Sequence, residues 1–383
     1  MDLEIRGIGD HLGPEKILLL RQPQVGLEAI VVVDNVAAGP AIGGVRIAPD
    51  VTVLEVFRLA RAMTLKNALA GLPHGGAKSG ILADAKMEIG DKEVLLRTFA
   101  KMIRHLEEYI PGPDMGTDEA CMAWIKDEMG RAAGLPAVMG GIPLDEVGAT
   151  GLGIAVAAEV AAPAAGLTLE GSRFVLQGFG AVGRHVARLL AERGVSLVAV
   201  ADSRGALFAP AGLDVEALID HKLSGASVGR FSGGRALDPD ELVGVDCEIW
   251  IPAARPDVLR ADNVEKLKAR LVVQAANIPA TAAAEIWMYE HSILNVPDFL
   301  ANAGGVICAS LEVRGGTWRE AKEVIREKIR ANTIEVLERS KKGARRPREV
   351  GVEMAQERVE EAMALRGRPV VRALNSDSVY LPL

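Results

Sequence analysis

The sequence predicts an α/β protein of two domains, the second built on a doubly wound parallel sheet, with helices at the C-terminus. Three observations predict it. At 383 residues the chain exceeds what one hydrophobic core ordinarily organises. From residue 173 short apolar runs alternate with helical stretches, the pattern of a parallel sheet whose ligands sit at the carboxyl ends of the strands. Before that point a hairpin and a long helix are followed by glycine-rich loops, which is a different α/β arrangement. The expected division is a first domain over 1–147, a second over 148–318, and helices over 319–383.

The elements follow in order. Residues 16–20 and 27–34 are apolar runs rich in Val, Ile and Leu around a polar QPQVG turn, which reads as a hairpin. Val53, Val56, Phe57, Ala60 and Met63 fall at helical spacing, so 53–69 is a helix, ended by the glycines of AGLPHGGAKSG. A second helix is expected over 92–108, and PGPDMGTDE after it reads as a loop. Strands are expected at 174–177, 196–201, 247–252 and 271–274, with a helix at 184–193. Ile325, Ile329, Thr333, Val336 and Leu337 form an apolar stripe on a C-terminal helix, and Met354–Leu365 a weaker one. The basic run KKGARRPR (341–348) reads as a solvated cap complementing a helix dipole.

Composition excludes several classes. Hydrophobic residues make up 49%, charged residues 25% and aromatics 4%, a globular composition whose apolar volume is carried by aliphatic side chains. The net charge of −7 speaks against nucleic acid or a membrane surface as partner. The most apolar stretch, 154–167, is interrupted by Glu159 and Pro163 and is too short to span a bilayer. The N-terminus lacks the basic and apolar segments of a secretory signal. Cys121, Cys247 and Cys308 are few, odd in number and far apart, which suits buried thiols of a cytoplasmic protein.

The strongest single motif is GxGxxG at Gly178, Gly180 and Gly183, within GFGAVG. It follows a predicted strand, opens a helix, and precedes a second strand ending in Asp202, 24 residues after Gly178. In that context the motif marks a Rossmann-type dinucleotide site. Gly178 makes the tight turn, Gly180 admits the pyrophosphate, and Gly183 lets helix and strand pack closely. Phe179, Ala181 and Val182 complete the turn, where free N–H groups and the helix dipole favour an anion. Asp202 would accept hydrogen bonds from the adenosine ribose and repel an extra phosphate, favouring NAD. Ser203 and Arg204 follow at once and keep NADP open.

A second group lies in MTLKNALAGLPHGGAKSG and PGPDMGTDE. Lys66 and Lys78 stand among Met, Leu, Ala and Gly, where desolvation lowers a lysine pKa and suits it to proton chemistry. Asp114 is the candidate carboxylate partner. His74, beside Gly75, reads as a loop histidine with its hydrogen bonds satisfied.

These segments carry a resemblance. GPAIGGVR (39–46), MTLKNALAGLPHGGAKSG (63–80), PGPDMGT (111–117), GATG (148–151), GFGAVG (178–183), IPAA (251–254), AANIP (275–279) and LANAGGV (300–306) resemble, in order and spacing, the glutamate/leucine/phenylalanine/valine dehydrogenases. The likeness runs over nearly the whole chain. It implies NAD(P)-dependent interconversion of an L-amino acid with its 2-oxo acid and ammonia, by a homo-oligomer built through a substrate-binding and oligomerisation domain at the N-terminus. Under it Lys66, with the backbone of Gly43 and Gly44, binds the substrate α-carboxylate. Lys78 polarises the oxo group and activates water, and Asp114 shuttles protons to and from the amino group. Thr150, Ala253, Asn277 and Asn302 line the nicotinamide and its ribose, with Asn302 also beside the substrate carboxylate.

Two positions bear on the side chain of the substrate. Glutamate-specific members place a lysine immediately before the Gly-Gly pair, where this chain has Ile42, and a serine where it has Ala309. A glutamate carboxylate would lack both partners there, so the resemblance points to an apolar amino acid such as Leu, Val, Ile or Phe. The stretch PGPDMGTDEACMAWIKDE is closer to glutamate members and keeps glutamate as the alternative. The sequence departs from common forms at GAKSG, at AAN, and at Gln274, where an acid is usual. A reductase of another oxo or imino substrate and an inactive NAD-binding regulator are the competing classes; the presence of Lys66, Lys78 and Asp114 speaks against both.

Overall fold

A computed structural model describes residues 7–366. The chain forms two compact units. Of the described residues, the first takes 7–144, Val306–Ala321 and 352–366. The second takes Asp145–Gly305 and Lys322–Gly351. The C-terminal helices are therefore shared between the units rather than forming a third.

The first unit is built on a five-stranded sheet of β1 (Lys16–Gln22), β2 (Leu27–Asn35), β3 (Ala41–Ala48), β4 (Gly76–Leu82) and β5 (Tyr109–Pro113), in the order β1-β2-β4-β3-β5. The expected hairpin is present, with Lys16 opposite Val33 and Gln22 opposite Leu27 in antiparallel register. Strand β3 runs parallel to both β4 and β5. Helix α1 (Val53–Leu69) covers one face, with Ile30, Val32, Val56 and Ala60 in its core. Helices α2 (Ile89–Ile103) and α3 (Glu119–Met129) cover the other, over Val31, Val33, Phe99 and Ile125. Alternate residues of β2 serve opposite cores, so the strand reads as one unbroken apolar run.

Two local expectations are corrected. Helix α2 ends at Ile103 and not near 108, because the Arg131 guanidinium draws the following carbonyls of Arg104, Leu106 and Tyr109 to itself. The first residues of the PGPDMGTDE segment are strand, not loop: β5 tolerates Pro111 and Pro113 because it is an edge strand.

Helix α4 (Leu144–Val147) begins on the last residue of the first unit's leading segment, and α5 (Ala149–Ala164) follows within the second unit. Its seven-stranded sheet contains β6 (Arg173–Gln177), β7 (Ser196–Asp202), β8 (Gly205–Phe208), β9 (Arg235–Leu237), β10 (Ile249–Pro252), β11 (Leu271–Val273) and β12 (Leu294–Val296). The order is β12-β11-β10-β6-β7-β8-β9, parallel from β12 to β7 and antiparallel thereafter. Helix α6 (Ala181–Ala191) joins β6 to β7; α7 (Val215–Leu223), α8 (Ala282–Glu290) and α9 (Asp298–Ala301) follow. Strand order reverses between β6 and β10, which places a ligand crevice at their carboxyl ends. Helices α10 (Gly304–Glu312), α11 (Trp318–Gly343) and α12 (Pro347–Leu365) complete the chain. The stripe Ile325, Ile329, Thr333, Val336 and Leu337 on α11 is buried as expected.

The basic run 341–348 is only in part a solvated cap. Lys341–Arg345 is exposed, but the Arg348 side chain is 15% exposed and ion-paired with Glu285 and Asp298. All three cysteines are buried free thiols. Among the described residues no helix is long and apolar enough to cross a membrane.

Candidate active site

In the first unit, three adjacent strands set the geometry. Gly44 of β3 lies opposite Gly112 of β5, while Val45 pairs with both Ser79 of β4 and Pro113 of β5. Lys78 and Asp114 therefore converge over Gly44, and Lys78 Nζ donates to Asp114 Oδ1 at 2.9 Å. A Cβ on Gly44 would stand 2.7 Å from Asp114 Cβ and 3.1 Å from Lys78 Nζ, so only glycine lets the pair meet. Beneath them Ser79 donates to the buried Tyr109 hydroxyl, which donates to the Gly43 carbonyl at 3.1 Å. Thr117 closes the turn that carries Asp114, its hydroxyl accepting from the Asp114 N–H at 2.9 Å and donating to the Val45 carbonyl.

Arg46, which lies in the first glycine motif without an assigned role, completes the cluster. Its Nε donates to Asp114 Oδ2 at 2.8 Å and its Nη1 to Glu55 at 2.6 Å. Asp114 thus has a cation on each carboxylate oxygen. Burial would raise its pKa, but the charges of Lys78 and Arg46 prevail and hold it below the ordinary carboxylate value. Lys78 is 5% exposed, and burial lowers its pKa although Asp114 pulls the other way. The pair is therefore an ionised carboxylate beside a lysine whose proton is unusually easy to remove.

Lys66 stands in the last turn of α1, with its side chain part-buried. Its neighbour Asn67 is buried and donates to the Gly75 carbonyl at 2.6 Å. His74 departs from the expectation of a satisfied residue. Its Nδ1 lies 3.0 Å from the Pro40 carbonyl oxygen, but its Nε2 is buried with no hydrogen-bond partner among the described residues. Burial also lowers the His74 pKa. Ile42 and Ala309, far apart in sequence, meet in one apolar cluster with Ile110 and Ala133, all within 7% exposure. Ala133 lies in a loop pinned by Glu312, whose carboxylate accepts from the N–H groups of Leu135 and Ile142.

The second unit holds the glycine-rich turn. Gly178 has φ +111°, and its N–H donates to the Ala201 carbonyl. Gly183 lies against that turn, where a Cβ would stand 2.1 Å from the Gly178 oxygen. Gly180 is the N-cap of α6, with no capping side chain and only open space where a Cβ would be. Free N–H groups of Ala181 and Val182 behind an open approach fit a pyrophosphate. Phe179 is buried behind the turn, and Ala253 packs against Gly178. A cavity of about 620 Å³ adjoins this turn, lined by Gly178, Asp202, Ser203, Val243, Arg255 and Asn263 among others.

Asp202 is held differently from the sequence reading. Its Oδ1 accepts from the Arg204 N–H and the Ser227 hydroxyl, both at 2.9 Å. Its Oδ2 accepts from Lys222 Nζ at 2.5 Å and the Val228 N–H at 3.1 Å. Burial opposes the shift, but these donors bring the pKa down to about 2. The carboxylate ties the end of β7 to α7 and to the segment after α7, is already engaged by four donors, and has its charge countered by Lys222. Neither Lys222 nor Ser227 carries a local sequence signal.

On the nicotinamide side of the motif pattern, Asn302 Nδ2 donates to Asn277 Oδ1 at 3.0 Å and to the Ala275 carbonyl at 3.2 Å. Asn302 Oδ1 is buried without a hydrogen-bond partner among the described residues. Thr150, in the first turn of α5, lies beside Gly305. Among the described residues no group of His, Cys, Asp or Glu could hold a metal ion.

Comparison with known proteins agrees with both halves. The family described as Glutamate/Leucine/Phenylalanine/Valine dehydrogenase matches residues 140–367, and the Glu/Leu/Phe/Val dehydrogenase dimerisation domain matches 14–131. The chain is 37% identical over 356 residues to a glutamate dehydrogenase of Aeropyrum pernix, covering 87% of this chain and 85% of that one. It is 36% identical to an NADP-specific glutamate dehydrogenase of Saccharolobus shibatae, over 87% and 84% of the two chains. A solved hetero-hexameric glutamate dehydrogenase from Thermus thermophilus, in a Leu-bound form, superposes with a TM-score of 0.83 at 34% identity, covering 93% and 91%. The chain therefore belongs to the glutamate/leucine/phenylalanine/valine dehydrogenase family, as an NAD(P)-dependent amino-acid dehydrogenase.

Proposed function

We propose that the chain catalyses oxidative deamination of an L-amino acid with an apolar side chain, and the reverse reductive amination of its 2-oxo acid. The observation that carries the substrate class is the cluster of Ile42, Ile110, Ala133 and Ala309. None of these side chains can pair with a second carboxylate. Burying a glutamate side chain against them would cost several kcal/mol, roughly 10³-fold in kcat/KM. The names of the relatives favour glutamate as the second reading. Oxidative deamination of Leu, Val, Ile, Phe and Glu, each with NAD and NADP, is the test. An apolar amino acid is expected to be preferred by at least about 10²-fold, and a preference for Glu would overturn the reading.

In this mechanism Lys66 and the N–H groups of Gly43 and Gly44 hold the α-carboxylate. Asp114 takes a proton from the α-amino group, so that the nitrogen lone pair can assist departure of hydride from Cα. A nicotinamide bound in the second unit supplies the hydride acceptor. Lys78 then assists addition of water to the resulting iminium carbon, and the carbinolamine releases ammonia. Gly178–Gly183 with the first turn of α6 hold the pyrophosphate, while Thr150, Ala253, Asn277 and Asn302 surround the nicotinamide ribose. The matched dimerisation domain supports a homo-oligomer assembled through the first unit.

For the cofactor, the pairing of Asp202 with Lys222 supports acceptance of a 2′-phosphate beside Ser203. Lys222→Met would leave the Asp202 charge uncompensated. It is expected to weaken NADP binding about 10-fold more than NAD binding, read as the ratio of two dissociation constants. Equal weakening of both would remove Lys222 from cofactor discrimination.

A further inference from the structure

Arg348 stands far in sequence from every residue given a role above, yet its contacts lead to two of them. It stands in the first turn of α12, and its guanidinium is spread over three partners. Nε donates to both oxygens of Glu285, at 2.9 and 2.8 Å, and Nη2 donates to Gln274 Oε1 and Asp298 Oδ1, each at 2.8 Å. The guanidinium also lies over the Phe299 ring, 5.5 Å from its centre. Glu285 and Asp298 are each 5% exposed, and Gln274 is fully buried. Gln274 Nε2 donates to Glu285 Oε1 and to Asn295 Oδ1, a role that the acid usual at this position could not play.

The second oxygen of Asp298 turns the other way. It accepts the N–H of Ile278 at 2.8 Å. Ile278 has φ +48°, a left-handed conformation that a β-branched side chain strongly disfavours. Such strain persists only where the surroundings over-determine it. Here the over-determination is visible: Asp298 holds the Ile278 N–H, Asp257 donates its own N–H to the Ile278 carbonyl, and Pro279 follows directly. Immediately before the strained residue is Asn277, which accepts from Asn302. The Asn302 N–H donates to the Asp298 carbonyl at 2.8 Å. One aspartate thus fixes both segments that carry the asparagine pair, and Arg348 fixes that aspartate.

We propose that Arg348 is a positioning residue for the nicotinamide side of the cofactor site, acting through Asp298 on Asn277 and Asn302. The inference rests on the reading that this asparagine pair contacts the cofactor. A buried ion-pair cluster is a poor device for stability, since well-packed apolar residues often serve as well. What it offers is direction. A guanidinium with four acceptors around it admits one arrangement of Glu285, Gln274 and Asp298. That arrangement orients Asn302, whose Oδ1 has no hydrogen-bond partner among the described residues, and sets the backbone turn at Ile278.

The test uses the full-length protein and two readouts, the dissociation constant of NADH by fluorescence titration and steady-state KM values. Arg348→Lys keeps the charge but cannot reach all four acceptors, so it preserves folding better than removal of the cation. It is expected to raise the NADH dissociation constant and the cofactor KM about 10-fold, leaving the KM of the amino acid within twofold. Ile278→Gly takes the left-handed turn without a Cβ and is expected to restore most of the lost cofactor affinity in the Arg348→Lys background. In an Asn302→Ala background, Arg348→Lys is expected to add little. If Asn302→Ala weakens cofactor binding and a folded Arg348→Lys does not, or if the two losses simply add, the positioning role is overturned. If Asn302→Ala itself leaves NADH binding unchanged, the reading of the asparagine pair falls instead, and the proposal with it.

Discussion

Lys78→Ala is expected to lower kcat for oxidative deamination by about 10³-fold or more, with the NADH dissociation constant unchanged. The expectation rests on the separation of labour along the chain. Lys78 belongs to the sheet of the first unit, where it contacts Asp114, whereas the glycine-rich turn and the 620 Å³ cavity belong to the second. Removing Lys78 leaves Asp114 with Arg46 alone, so the carboxylate stays paired and the fold keeps its charge balance on that side. Loss of NADH binding together with turnover would mean a folding defect, and normal turnover would remove Lys78 from the mechanism.

The same pair predicts the pH dependence. Burial lowers the Lys78 pKa below that of an exposed lysine, so its proton is lost at lower pH than 10.5. The lowered pKa of Asp114 keeps that carboxylate ionised to lower pH than an ordinary aspartate. With Lys78 required as the ammonium that polarises the oxo oxygen, the enzyme groups alone would therefore give a broad plateau whose alkaline limb falls below pH 10.5 in kcat/KM. Its acid limb is expected to reflect the substrate amino group rather than Asp114. Arg46→Lys loses the Nε contact and is expected to move any Asp114 limb upward, because one of its two stabilising cations becomes less well placed.

Ile42→Lys combined with Ala309→Ser is expected to change the ratio of kcat/KM for glutamate over leucine by at least about 10²-fold. Ile42 is 3% exposed and Ala309 7%, so the introduced ammonium would sit in a nearly dry pocket. Without a counter-charge such a lysine is costly and loses its proton readily. A glutamate γ-carboxylate would provide the counter-charge, and leucine would not. The change therefore comes from both directions, a gained ion pair for one substrate and an unpaired buried charge against the other. The single variant Ala309→Ser should have the smaller effect, since a hydroxyl adds one hydrogen bond and no charge. An unchanged ratio in the double variant would show that the cluster of Ile42, Ile110, Ala133 and Ala309 does not receive the substrate side chain.

Much of this protein was legible in its residues. The alternation of strand and helix after residue 173, with GxGxxG between strand and helix, determined the doubly wound sheet and the place of its phosphate-binding turn. Local rules suffice there, because each glycine answers to its immediate neighbours. The apolar run at 27–34 and the spacing of Val53, Val56, Phe57 and Ala60 determined the hairpin and α1 in the same way. The order of motifs determined the family and nominated Lys66, Lys78 and Asp114.

The tertiary structure decided what depends on partners distant along the chain. It made β5 a strand despite two prolines, because the segment lies at a sheet edge. It joined Ile42 to Ala309, added Arg46 to the Lys78–Asp114 pair, and spent the carboxylate of Asp202 on Lys222 and its own loop. It also took Arg348 out of an ordinary basic run and placed it among Glu285, Gln274 and Asp298. Local propensity and apolar periodicity are properties of neighbours a few residues apart, and the sequence displays them directly. The state of a buried charge depends on which groups surround it in space, and for Arg46 with Asp114 and Arg348 with Glu285 those stand more than 60 residues apart in the chain.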